Sequence, residues 1–118
     1  MRFTLVYDSA LLRSKSKKLP MALRLVDVDP RFLKPNPSRP FADPAKLARQ
    51  IAKYGSSKAG MPPIVAYESE DGRLVVYNGV TRATRMAMLA PGVTVPVEVI
   101  GRILVKFADK PSIGDTLP

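Results

Sequence analysis

A small α+β domain, with a mixed β-sheet and two or three helices, is the fold class this sequence predicts. Three observations predict it: one well-capped amphipathic helix, one hairpin-like pair of alternating segments, and one strand that runs through a glycine turn into a second helix. The 118 residues are 46% hydrophobic and 25% charged. That balance suits a folded domain, and the length suits one core rather than two.

Residues 2–7 place Phe3, Leu5 and Tyr7 on one side of a first predicted strand. The following stretch, 9–20, is basic and rich in serine and lysine, and is expected to form a mobile loop. Met21–Val28 reads as a strand with Leu23, Leu25 and Val28 facing inward, ended by Asp29-Pro30. Five prolines between 30 and 44 impose an extended but irregular crossing. The clearest helix follows: Asp43 as N-cap, Pro44 at the first helical position and Gly55 as the C-terminal stop. Leu47, Ile51 and Tyr54 form its buried stripe with Ala48 beside it, and Lys46, Arg49, Gln50 and Lys53 its wet stripe.

Ile64–Tyr67 and Leu74–Tyr77 then read as a hairpin, with Asp71-Gly72 supplying the turn. A second helix, Thr81–Leu89, is stopped by Pro91-Gly92. Val93–Ile100 alternates as a further strand, and Pro96 within it predicts an edge or a bulge. Ile103–Phe107 is expected as a short last strand, and 109–118 as a frayed tail.

Neither cysteine nor histidine occurs, and the net charge is +9. Disulfides, thiol chemistry, a histidine base and Cys/His zinc sites are thereby excluded. The lack of cysteine fits a reducing, cytoplasmic setting. No apolar run is long enough to span a bilayer and the N-terminus does not read as a signal peptide, so no membrane partner is expected. A basic balance of this size favours a polyanionic partner, nucleotide or nucleic acid.

The segment that carries chemistry is Val75-Val76-Tyr77-Asn78-Gly79-Val80-Thr81-Arg82. A strand feeding a helix through glycine exposes the helix's first amides and the positive end of its dipole, which together attract phosphate. Gly79 permits close approach, Thr81 offers a hydroxyl, and Arg82 and Arg85, at i and i+3, can both reach an anion there. The plainer alternative is a glycine turn with two solvated arginines. Lys46, Arg49 and Lys53 on the first helix, with Lys15, Lys17 and Lys18 in the N-terminal loop, are candidates for contacts to a nucleic-acid backbone, or else simply solvated faces. The acidic residues form no convincing catalytic pair, and no metal ligands are assigned.

Five blocks in order, Asn36-Pro37-Ser38-Arg39-Pro40-Phe41, Leu47–Gly55, Pro62–Tyr67, Val76–Arg82 and Val95–Val99, resemble the N-terminal domain of ParB-type proteins, a fold shared with sulfiredoxin. The resemblance covers about residues 22–101. It implies a nucleoside triphosphate, with Mg²⁺, bound at the glycine turn. Gly79 and Arg82 would be the matching positions, Asn78 stands where the family often has a small or acidic residue before that glycine, and Ser38 and Arg39 would be further contacts. Val80 and Thr81 stand where sulfiredoxin has its cysteine and histidine, so sulfiredoxin chemistry is excluded. The ParB helix-turn-helix has no counterpart after Gly101. The resemblance implies nucleotide or nucleic-acid phosphate binding, with nuclease or nucleoside triphosphatase activity as one extension. The alternatives are a non-enzymatic basic nucleic-acid accessory protein and a protein-interaction module that has lost its ligand.

Overall fold

The computed structural model describes residues 23–118; the predicted first strand at 2–7 and the 9–20 loop lie outside them. The elements are β1 (Arg24–Val28), a 3-10 turn (Pro30–Phe32), α1 (Pro44–Tyr54), β2 (Ile64–Glu68), β3 (Leu74–Asn78), α2 (Val80–Leu89), β4 (Val95–Arg102) and a second 3-10 turn (Ile113–Asp115). The four strands form one mixed sheet in the order β1-β4-β2-β3. β4 runs antiparallel to β1 and parallel to β2, and β2 and β3 form the antiparallel hairpin. The parallel step from β2 to β4 requires a crossover, and α2 provides it. The expected small α+β fold is therefore present.

Local chemistry explains each element. The Asp43 side chain accepts from the Lys46 amide at 3.1 Å to start α1, and Gly55, at a φ of +55°, ends it. The β2–β3 turn contains Gly72 at a φ of +82°, where a side chain would be strained. Val95, Val97 and Val99 of β4 are fully buried and alternate with half-buried neighbours, as a strand covered on one face requires. They join Ile64 and Ala66 of β2, Val76 of β3, and Ala83, Met86 and Ala87 of α2 in the core.

Several expectations are corrected. Leu23 and Leu25 are 64% and 65% exposed; Val26 packs on the core in their place, beside Val28, which faces inward as expected. The choice was a register question, since a one-residue shift exchanges the two faces of a strand. Pro96 lies in a central strand near its start, and the bulge falls further along, where Ala66 pairs Val99 but Tyr67 pairs Gly101. Ala48 is exposed and Gln50 half-buried, so the inward stripe of α1 is rotated from the predicted one.

Segment 103–107 is not a strand. It is pinned across the hairpin instead: Ile103 donates its amide to Glu68 O, Glu70 to Val105 O, and Phe107 and Ala108 to the Asp71 carboxylate. The 109–118 segment, expected to fray, carries a 3-10 turn held by a Ser112/Asp115 capping box. Its Ile113 is buried, and the Ile113 amide donates to Leu33 O at 2.8 Å. No helix among the described residues is long and apolar enough to cross a membrane.

Candidate functional site

The strand–glycine–helix segment folds as the sequence predicts locally. β3 ends at Asn78, which is exposed, and Gly79 caps α2 at a φ of +110° with no side-chain cap. Ala83 donates the first intrahelical bond, to Gly79 O at 2.9 Å, so the amides of Val80, Thr81 and Arg82 have no acceptor within the helix. Glycine is needed here for a second reason. A Cβ on residue 79 would lie 2.8 Å from Arg82 Nη2 and 3.3 Å from Ile64 Cγ1. The Arg82 guanidinium is folded back over the turn, against the one residue without a side chain.

Arg82 is half-buried, and Nη2 donates to Pro63 O at 3.1 Å. Its Nε is buried with no hydrogen-bond partner. Burial lowers the guanidinium pKa, and no carboxylate offsets that desolvation. Among the described residues the ion pairs are Arg24–Glu68 and Arg31–Asp29, so neither Arg82 nor Arg85 has a counter-charge.

Arg85 behaves differently from its expected role. Only 2% of it is exposed, and its donors are used within the protein. Nη1 donates to Gly55 O at 2.7 Å and to Ser57 O at 2.8 Å, and Nη2 reaches Met61 Sδ at 3.6 Å. Nε points to Gln50 Oε1 at a long 3.4 Å, and the guanidinium carbon lies 5.3 Å from the centre of the Tyr54 ring. Arg85 thus staples the C-terminal end of α1 and the loop after it to α2. Burial lowers its pKa while Tyr54 opposes the shift, and as a guanidinium it stays charged.

Between these parts lies a cleft of about 240 Å³, lined by Gln50, Tyr54, Ala59, Gly60, Met61, Pro62, Arg82 and Arg85. Among the described residues two guanidiniums and no carboxylate face it. Sequence reasoning found Arg82 and Arg85 but missed Gln50, Tyr54, Met61 and Pro62. The i, i+4 spacing of Gln50 and Tyr54 on α1 was the available signal. Gly79 and half-buried Thr81 belong to the α2 terminus behind Arg82.

Ser38 and Arg39 do not line the cleft. They form a tight exposed turn in which the Asn36 side chain accepts from the Ser38 amide and hydroxyl, and Arg39 donates its amide to Asn36 O. Lys46, Arg49 and Lys53 are exposed on α1. Lys15, Lys17 and Lys18 lie outside the described residues.

Four of the carboxylates are occupied elsewhere. Asp29 bridges Arg31 at 2.7 Å, and Asp43 caps α1. The Asp71 carboxylate accepts from the Ser69 hydroxyl and the Phe107 and Ala108 amides, which hold its pKa well below the usual carboxylate range. Asp115 accepts from Ser112, with the same direction of shift. Among the described residues no three acidic side chains gather as a metal site would require. No family model, characterised protein or solved structure matches this chain.

Proposed function

We propose that the cleft between α1, the loop after it and the start of α2 binds a phosphate group, carried by a nucleotide or by nucleic acid. The observation that carries this reading is Arg82: a half-buried, unpaired cation with an unpartnered Nε, set at the positive end of α2. A cation placed there opposes the helix dipole and gives up hydration without a counter-charge. An anion in the cleft would relieve both costs. Arg82 is then the charged ligand, and Arg85 the residue that fixes the far wall. The order of sequence blocks resembling ParB-type domains supports the same reading. Among the described residues the cleft lining holds no carboxylate to activate water for a nuclease or nucleoside triphosphatase step, and the reading is one of phosphate binding.

Thermal unfolding with pyrophosphate, and with nucleoside triphosphates with and without Mg²⁺, tests it. A ligand at a hundred times its Kd stabilises the fold by about 2.7 kcal/mol. The expected result is such a shift in the wild type and its loss in Arg82→Gln, with the unliganded variant at least as stable as the wild type. No shift with any of these anions, or an equal shift in Arg82→Gln, overturns the proposal.

A further inference from the structure

We infer that the anion is one unit of a strand: the cleft is the end of a track for single-stranded nucleic acid that runs along α1. The inference rests on the phosphate-binding reading above and adds the class of ligand. A volume of about 240 Å³ lies below the range of roughly 300–1,000 Å³ for pockets that enclose a whole small ligand, so a phosphate-bearing molecule held here extends out of the cleft. The question is what it meets outside.

Helix geometry answers it. At about 100° per residue, Lys46 and Lys53 lie roughly 40° and 60° from Gln50 around α1, and Arg49 about 100°, all on the side away from Tyr54 and Leu47. Gln50 and Tyr54 line the cleft and Leu47 is buried, so the three cations border the cleft on the solvent side. All three are exposed, and among the described residues none is in an ion pair. α1 carries no acidic residue in its first turn, its N-cap Asp43 apart. Along the axis the row covers about 10 Å, from the rise of 1.5 Å per residue.

Tyr54 joins the two parts. Lys53 Nζ lies 5.3 Å from its ring centre, and Arg85 lies 5.3 Å from the same ring. Positive charge therefore continues from buried Arg85 in the cleft wall past Tyr54 to Lys53 on the α1 row. A recess of this kind takes a flexible strand that can bend into it, whereas a duplex, with a persistence length of about 150 base pairs, bends into it only at an energetic cost.

Fluorescence anisotropy with a labelled oligothymidylate 20-mer, across a salt series, tests the track. The triple variant Lys46→Gln/Arg49→Gln/Lys53→Gln should bind at least about tenfold more weakly, and its log–log salt slope should be shallower by roughly 2, from about 0.7 per phosphate contact on single strands. A control triple of equal charge, Arg73→Gln/Arg102→Gln/Lys106→Gln, should bind nearly as the wild type does. All six residues are exposed, and thermal unfolding confirms that both variants fold. Equal loss in both triples means bulk charge and overturns the track, as does wild-type affinity in the first triple. Equal binding of a 20-base-pair duplex overturns the single-strand assignment. The cleft is read separately with pyrophosphate. Stabilisation kept in the α1 triple and lost in Arg82→Gln is the expected pattern. If pyrophosphate does nothing while the 20-mer still depends on α1, the cleft reading falls, and with it the claim that the track ends there.

Discussion

Replacing Arg85 with methionine keeps most of the buried volume and removes the guanidinium. Two short bonds disappear, to Gly55 O at 2.7 Å and Ser57 O at 2.8 Å, together with the contact to the Tyr54 ring. Hydrogen bonds from a charged donor contribute about 1.5–3 kcal/mol each, and a cation–aromatic contact about 0.5–2 kcal/mol. Against that gross loss stands the relief of several kcal/mol of guanidinium desolvation. Ser57 is exposed and Gly55 half-buried, so water can reach the freed carbonyls and soften the penalty. The net expectation is a loss of about 2–3 kcal/mol, a large part of the roughly 5–15 kcal/mol that stabilises a domain. In thermal terms this is about 10–20 °C for a chain of this size. Arg85→Lys, which can restore one carbonyl contact but not the fork, should fall between. Urea unfolding followed by circular dichroism, with the slope checked for constancy, measures all three proteins. If Arg85→Met lies within about 0.5 kcal/mol of the wild type, inside the range of ordinary surface substitutions, the staple is not structural. Arg85 would then be free to serve a ligand as Arg82 does.

Gly79→Ala should cost about 1–3 kcal/mol, because a side chain at a φ of +110° is strained and its Cβ would meet Arg82 Nη2 at 2.8 Å; denaturant unfolding gives the stability. The displaced guanidinium should also weaken pyrophosphate binding, read by calorimetry. Ile113→Ala should cost about 2–4 kcal/mol, as removal of a buried aliphatic side chain does, whereas a frayed tail would give a change near zero. Asp71 should make stability depend on acid. Its pKa is lowered in the folded state, chiefly by the Ser69 hydroxyl and then the Phe107 amide, so its contribution is full above the ordinary carboxylate value of 3.8 and fades as pH falls below it. Asp71→Asn should therefore be less stable than the wild type at neutral pH. The gap should begin to narrow below about pH 4, the ordinary carboxylate value, and keep shrinking as pH falls further, in a series of unfolding curves.

Much of the frame was readable because its signals are local. The Asp43–Gly55 helix stands where capping chemistry puts it, since both caps act within a turn of the residues they serve. The hairpin and the Asn78–Gly79 turn are equally local. What failed depended on distant partners. Leu25 and Val26 are both apolar and lie on opposite faces of β1, and which face is buried depends on pairing with Val97 and Glu98 more than seventy positions on. The 103–118 segment carries weak strand and turn propensity. It is ordered by contacts to residues far away in sequence, the Asp71 carboxylate and Leu33 O.

The candidate site divides the same way. By itself the sequence determined a helix N-terminus behind glycine with two arginines near it, because backbone geometry and charge at that point need only adjacent residues. Tertiary structure decided what each arginine does. Packing of α2 against the end of α1 brought two backbone carbonyls within reach of Arg85 and buried it as a staple. One turn earlier, Arg82 met a single carbonyl and no carboxylate, and its charge was left unpaired beside the cleft. Two residues with the same chemistry were separated by the acceptors that the fold placed around them.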